Sequence, residues 1–240
     1  MSHNEQHHRT LEHPTEQAST SPPGILITRV RGYNLFNTIF FGGRRRRLDT
    51  ALATESAAAP GSHVLDIGCG PGRFAGALAD RVGLAGLVVG LDPSGPMVDY
   101  ASAHAGRRSN CHFRQGAAQS LALPDSSFDV VTATFVMHHI PEGQREAALA
   151  QIFRVLRPGG RLMLADMDPL DRVRAGAVRI LGKIATHRHE TATEDGSAAD
   201  PFAATDVRNY ADTLRRIGFE AVEFRAVKPS TGCLVAVRPG

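Results

Sequence analysis

Tryptophan is absent from this chain of 240 residues, and tyrosine and cysteine occur three times each. The cysteines, at positions 69, 111 and 233, show neither zinc-ligand spacing nor a disulfide framework, so no metal is expected and a reducing, cytoplasmic compartment fits. No apolar run approaches the roughly 18 residues that a membrane-spanning helix requires, and no basic, apolar, then small-residue start marks a secretory signal. Neither sign of charge dominates: the net formal charge is +3, and much of the excess sits in one run, Arg44 to Arg47. That run has no interleaved aromatics, so a solvated helix face, or one arginine reaching a carboxylate of a bound ligand, is preferred over a nucleic-acid grip.

What is present suits one α/β domain with additions. Residues 1–24 carry almost no large apolar side chains and end in Pro22-Pro23-Gly24, which predicts a flexible tail with solvated histidines. Residues 25–60 are expected to form a helical arm, with Phe36, Ile39 and Phe40 on one face before Gly42-Gly43 break it. From residue 61 to 240 the pattern alternates: strand 63–67, helix 73–82, strand 87–91, helix 95–104, strands 111–115 and 128–134, helix 142–156, strand 160–166. Such βα alternation implies a mostly parallel, doubly wound sheet. Val207, Tyr210, Leu214 and Ile217 mark another helix stopped by Gly218, and "FEAVEF" and "GCLVAV" are two strands joined by only "RAVKPST". So short a link permits a hairpin and no right-handed crossover, so the last strand is expected to be antiparallel.

The densest signal is "HVLDIGCGPGRFAGAL", a glycine loop between a strand and a helix. As a dinucleotide fingerprint it is faulty: Arg73 stands where the third glycine belongs, Pro71 lacks an N–H, and Asp66 brings negative charge beside any pyrophosphate. The loop instead suits a phosphate-free ligand carrying positive charge and hydroxyl donors; the alternative for Asp66 read alone is a turn cap. Twenty residues after Gly72, Asp92 closes the next strand, placed to accept hydrogen bonds from both hydroxyls of a ribose.

The segments "VLDIGCGPG", "GLDPSGPMVDYA", "LALPDSSFDVV" and "VLRPGGRLMLAD" together resemble the class I S-adenosylmethionine-dependent methyltransferases, from about Gly61 to Val237. The resemblance implies a Rossmann-like sheet of seven strands with an antiparallel last strand, and S-adenosylmethionine as methyl donor. It implies that Asp66, Gly68, Cys69, Gly70 and Gly72 surround the methionine part of the cofactor, with Thr134 nearby. Asp92 would hold the ribose, and Pro93 and Met97 would lie beside the adenine. Where similar enzymes commonly have an aspartate for the adenine amino group, this chain has Ala117, leaving Ala118 and Gln119 or a backbone carbonyl to make that contact.

In "TFVMHHI", His138 reaches the carboxyl edge of the sheet and is the candidate general base; the alternative is that it only packs and hydrogen-bonds around the cofactor. The "NPPY" or "DPPY" motif of similar enzymes that act on nucleic-acid bases is absent. "GYNLFN" is partly similar to the amino-terminal region of ubiquinone and menaquinone biosynthesis methyltransferases, with Tyr33 a lid candidate or plain packing, although "MHHI" departs from that group. Residues 170–204 sit where similar enzymes insert a substrate cap; Val173, Ala177, Ile180, Leu181 and Ile184 fall on one face of a basic helix that would also suit peripheral membrane contact. The expected activity is methyl transfer to a small organic molecule. An RNA-modifying enzyme and a non-catalytic cofactor-binding protein are the alternatives.

Overall fold

The computed structural model describes residues 44–106, 108–168, 205–228 and 230–240. The predicted tail, the Phe36 helix with Tyr33, and the predicted cap at 170–204 lie outside the described residues. Helix α1 (Arg45–Glu55) begins within the arginine run. There follow β1 (His63–Ile67), α2 (Arg73–Val82), β2 (Leu87–Asp92), α3 (Gly95–His104), β3 (Cys111–Gln115) and β4 (Phe128–Thr134). A 3-10 turn (Met137–His139) leads to α4 (Glu142–Val155) and β5 (Leu156–Met167). A second 3-10 turn (Val207–Tyr210), α5 (Ala211–Ile217), β6 (Glu220–Val227) and β7 (Thr231–Val237) complete the described elements.

The seven strands form one sheet in the order β3-β2-β1-β4-β5-β7-β6. Pairs are parallel from β3 through β5, while β7 runs antiparallel to both β5 and β6, as the short hairpin link requires. The period-2 alternation of the strands divides the core between the two faces. Leu65, Val89, Val131, Leu162 and Leu234 pack with Leu149, Ile152 and Val155 of α4 on one side. Val64, Val88, Val130, Met163 and Val235 pack with Leu48 and Leu52 of α1 and Phe74 and Leu78 of α2 on the other.

Two of the differences from the sequence reading have clear local causes. Strand β5 begins at Leu156 rather than residue 160: the helix stops there, Leu156 pairs with Phe128, and the register then slips at a bulge before Arg161 pairs with Val130. Pro158 has no N–H for the ladder and Gly159 takes φ 75°, so "RPGG" bulges within the strand. Arg238 closes the end of α4, its guanidinium donating to the carbonyls of Phe153, Arg154 and Leu156. The Val207–Ile217 helix is tighter at its start, where the Asp206 carboxylate accepts from the Arg208 N–H at 3.0 Å and a 3-10 turn precedes α5. Gly218 ends it at φ 112°, as expected.

One aromatic ring fixes the height of the first loop over the sheet. A Cβ on Gly90 would lie 2.6 Å from Phe113, and one on Gly72 would lie 2.7 Å from the same ring. Gly90→Ala should therefore overpack this contact and lower unfolding stability by about 1–3 kcal/mol. In urea titrations, adding Phe113→Leu should recover part of the loss, because the two sites share one contact; a Gly90→Ala chain as stable as its parent would disprove the packing.

Candidate active site

Strand β1 lies between β2 and β4, so the chain reverses its direction of winding at β1, and the strand tips open a crevice there. Gly68, Gly70 and Gly72 take φ 67°, 51° and 80°, the left-handed region in which a side chain is strained. At Gly68 space also decides, since a Cβ would stand 2.3 Å from Val136 Cγ2. The loop is fastened to β2: the N–H groups of Gly68 and Cys69 donate to the Leu91 carbonyl at 2.7 and 3.0 Å. Cys69 itself is buried, and that burial pushes its thiol well above its usual range.

Asp92 is gripped from both sides. The Gly70 N–H donates to its Oδ2 at 2.9 Å and the Ser94 N–H to its Oδ1 at 2.8 Å, so each oxygen keeps acceptor capacity for another donor. Burial raises its pKa while these two bonds hold it down. Asp66 lies deeper. Thr132 donates to its Oδ1 at 2.8 Å, but the buried Oδ2 has no partner among the described residues. Desolvation lifts its pKa to about 7, with the Thr132 bond opposing. At neutral pH it is therefore only partly ionised.

Beside these carboxylates runs a crevice lined by Gly68, Pro93, Ala118, Gln119, Val136 and His139 among others. None of its lining residues is lysine or arginine, which suits a nucleoside without phosphate. Its interior space of about 60 Å³ is small beside the roughly 300 Å³ of even a modest ligand site. Gln119 turns its amide toward Gln144 Oε1 at 2.8 Å. Met97, in the first turn of α3, is buried and does not line the crevice, and Thr134 is buried at the tip of β4. The next residue, Phe135, holds φ 56°, and the Arg45 guanidinium of α1 lies 5.1 Å from its ring, which brings α1 to the same edge.

The two neighbouring histidines face different surroundings. His139 lines the crevice; burial, then the neighbouring His138, depresses its pKa to about 4, so it stays neutral. His138 is part-exposed, and its Nδ1 lies 2.7 Å from Asp166 Oδ2 at the tip of β5. Sequence reasoning missed Asp166. The available signal was "LMLAD": like Asp66 and Asp92, Asp166 is an acid at the carboxyl end of a strand, where ligands of such sheets bind.

A family model described as "Methyltransferase domain" matches residues 64–160, the span that carries the glycine loop, Asp92 and the histidines. The chain is a class I S-adenosylmethionine-dependent methyltransferase. Its relatives include a demethylmenaquinone methyltransferase of Lactiplantibacillus plantarum, 28% identical over 84% of this chain and 89% of the relative. They also include a ubiquinone/menaquinone biosynthesis C-methyltransferase of Vibrio campbellii, 29% identical over 87% and 82%. Among solved structures, a methyltransferase of Aquifex aeolicus shares the fold of this methyltransferase with TM-score 0.61 at 20% identity, covering 79% of this chain and 88% of that one. The [4+2]-cyclase SpnF matches with TM-score 0.59 at 21% identity over 79% of each chain. A cyclase with this architecture shows that the fold alone does not set the chemistry.

The pKa of Asp66 makes a stability prediction. Between about pH 4 and 7 the folded methyltransferase holds a proton that the unfolded chain has lost, so its stability falls as pH rises through that window. Asp66→Asn cannot titrate. Across that range the parent should lose up to about 4 kcal/mol more than the variant in urea unfolding, and parallel stability curves would refute the buried, proton-holding state.

Proposed function

We propose that this methyltransferase moves a methyl group from S-adenosylmethionine to a small organic acceptor, with a hydroxylated aromatic ring of the quinol type as the leading class. Support for the cofactor arrangement comes above all from Asp92, a carboxylate oriented by two backbone N–H groups beside a crevice without cationic side chains. Support for the acceptor class comes from the quinone-biosynthesis names of its relatives. The free, buried cysteines suit a reducing cytoplasm, and no described helix is long and apolar enough to cross a membrane.

When bound, S-adenosylmethionine supplies a methyl group on a positively charged sulfur, which an acceptor's electron pair displaces in line. The work of the chain is to bind, align and exclude water. Asp92 accepts from the ribose hydroxyls with the acceptor capacity its backbone donors leave over. Asp66 offers its unpartnered Oδ2 to the ammonium, and a cation there favours its ionised form. Gly68, Cys69, Gly70 and Gly72 let the methionine part approach the backbone, with Thr134 at the next strand tip. Pro93, Ala118 and Gln119 border the adenine, while Met97, buried within α3, stays behind the crevice lining. His138 is the base for an acceptor that arrives protonated.

Calorimetry with S-adenosylmethionine and S-adenosylhomocysteine tests the cofactor site. Asp92→Ala should weaken both by about 2–4 kcal/mol, with circular dichroism confirming an intact fold; unchanged affinity refutes the assignment. Affinity of the parent for S-adenosylmethionine should rise with pH through about 7 as Asp66 loses its proton, and Asp66→Asn should lack that dependence. Transfer of labelled methyl should appear on reduced naphthoquinols and phenols, and label found on RNA alone would overturn the acceptor class.

A further inference from the structure

The acceptor side of the site holds a pair of groups whose geometry says more than that a histidine is present. His138 follows β4 on a 3-10 turn, and Asp166 is the last residue but one of β5, the neighbouring parallel strand. Asp166 is 2% exposed. Its Oδ1 accepts from the Met167 N–H at 2.8 Å, and its Oδ2 faces His138 Nδ1 at 2.7 Å. A carboxylate so fixed sets one imidazole nitrogen as donor and frees the other as acceptor, because an Nδ1–H pointing at Oδ2 leaves the lone pair on Nε2. Among the described residues nothing hydrogen-bonds Nε2, and the His138 side chain is 26% exposed, so none of them uses that lone pair.

The surroundings support this orientation. Arg145 donates to the Ile140 carbonyl at 2.9 Å, which ties α4 to the turn bearing His138, and its charge acts on Asp166. The Tyr210 hydroxyl is buried with no hydrogen bond of good geometry among the described residues, and Arg145, Asp166 and Glu142 act on it, Arg145 favouring its ionised form. His139, 4.1 Å from the His138 ring between centroids, stays neutral and adds no competing positive charge. Burial opposes ionisation of Asp166, and the bonds from His138 and Met167 favour it.

We propose that Asp166 is the positioning residue of an Asp166–His138 pair that takes a proton from the acceptor, which restricts the acceptors to hydroxyl-bearing rings that must be deprotonated to react. This rests on the methyl-transfer reading above and deepens it. In the step, His138 Nε2 takes the hydroxyl proton. The electron pair of the oxygen, or of a ring carbon conjugated with it, forms the bond to the methyl carbon. The carbon–sulfur bond breaks and its pair remains on sulfur, which becomes neutral. After transfer to carbon, the ring C–H proton passes to water and the ring regains aromaticity; in either case the imidazolium then releases its proton to water.

Two measurements on the full chain saturated with S-adenosylhomocysteine or S-adenosylmethionine test the pair. Nitrogen-15 imidazole spectra, with the His138 signals assigned by their loss in His138→Gln, should show the Nδ1–H tautomer in the parent. They should show the Nε2–H form in Asp166→Asn, whose amide donates toward Nδ1; a parent in the Nε2–H form overturns the proposal. In turnover with a reduced naphthoquinol, Asp166→Asn should lower kcat on the order of 100-fold or more with KM within about threefold. The same variant should keep most of its activity toward a nitrophenol already ionised at the assay pH, since that acceptor has no proton to remove. Equal losses on both acceptors would mean that Asp166 only supports the fold, and would sink the proposal. If no acceptor is methylated, the quinol reading fails while the tautomer still decides the pair.

Discussion

Strand β1 pairs with β2 through residues 63–67 and with β4 through residues 64–67, parallel on both sides. With both ladders occupied and the helices on the two faces, the chain can leave β1 only over the carboxyl edge. The turn it makes there must also clear Val136 arriving from β4, and Gly68 leaves room for that side chain where any Cβ would collide. The glycine loop, the crevice and the approach of the histidine turn all follow from this crowding at one edge of a central strand.

At that edge the sheet sets three acids, Asp66, Asp92 and Asp166, at the tips of β1, β2 and β5, and their partners give them different chemistry. Asp92 has two backbone donors and is poised to accept more. Asp66 has one hydroxyl and deep burial, so it holds its proton to about pH 7. Asp166 faces an imidazole. The same side chain at the same kind of position thus keeps acceptor capacity, holds a proton or faces an imidazole, according to what desolvates it and what donates to it.

The element pattern was legible along the chain because it is written in local periodicity. Helices α2 and α3 and strands β1, β3 and β4 begin and end where apolar spacing, glycines and the turns between them put them. The antiparallel last strand followed from a link too short for a crossover. The early start of β5 was not legible, since "RPGG" reads as a break whether the chain turns away or bulges within a ladder. Only the facing residues Phe128 and Val130 choose between these. The tight start of the Val207 helix likewise depends on the Asp206 side chain accepting from the Arg208 N–H.

Residue types and spacing by themselves determined the alternation of strands and helices, the short hairpin at the end, and the presence of acids and glycines at the strand ends, since each depends on neighbours a few positions away. What tertiary structure alone decided is which groups meet across strands: Thr132 with Asp66, Gly70 with Asp92, and Asp166 with His138, separated by 66, 22 and 28 residues. Protonation and tautomer depend on burial and on those distant donors, and neither quantity is encoded within any short window of sequence.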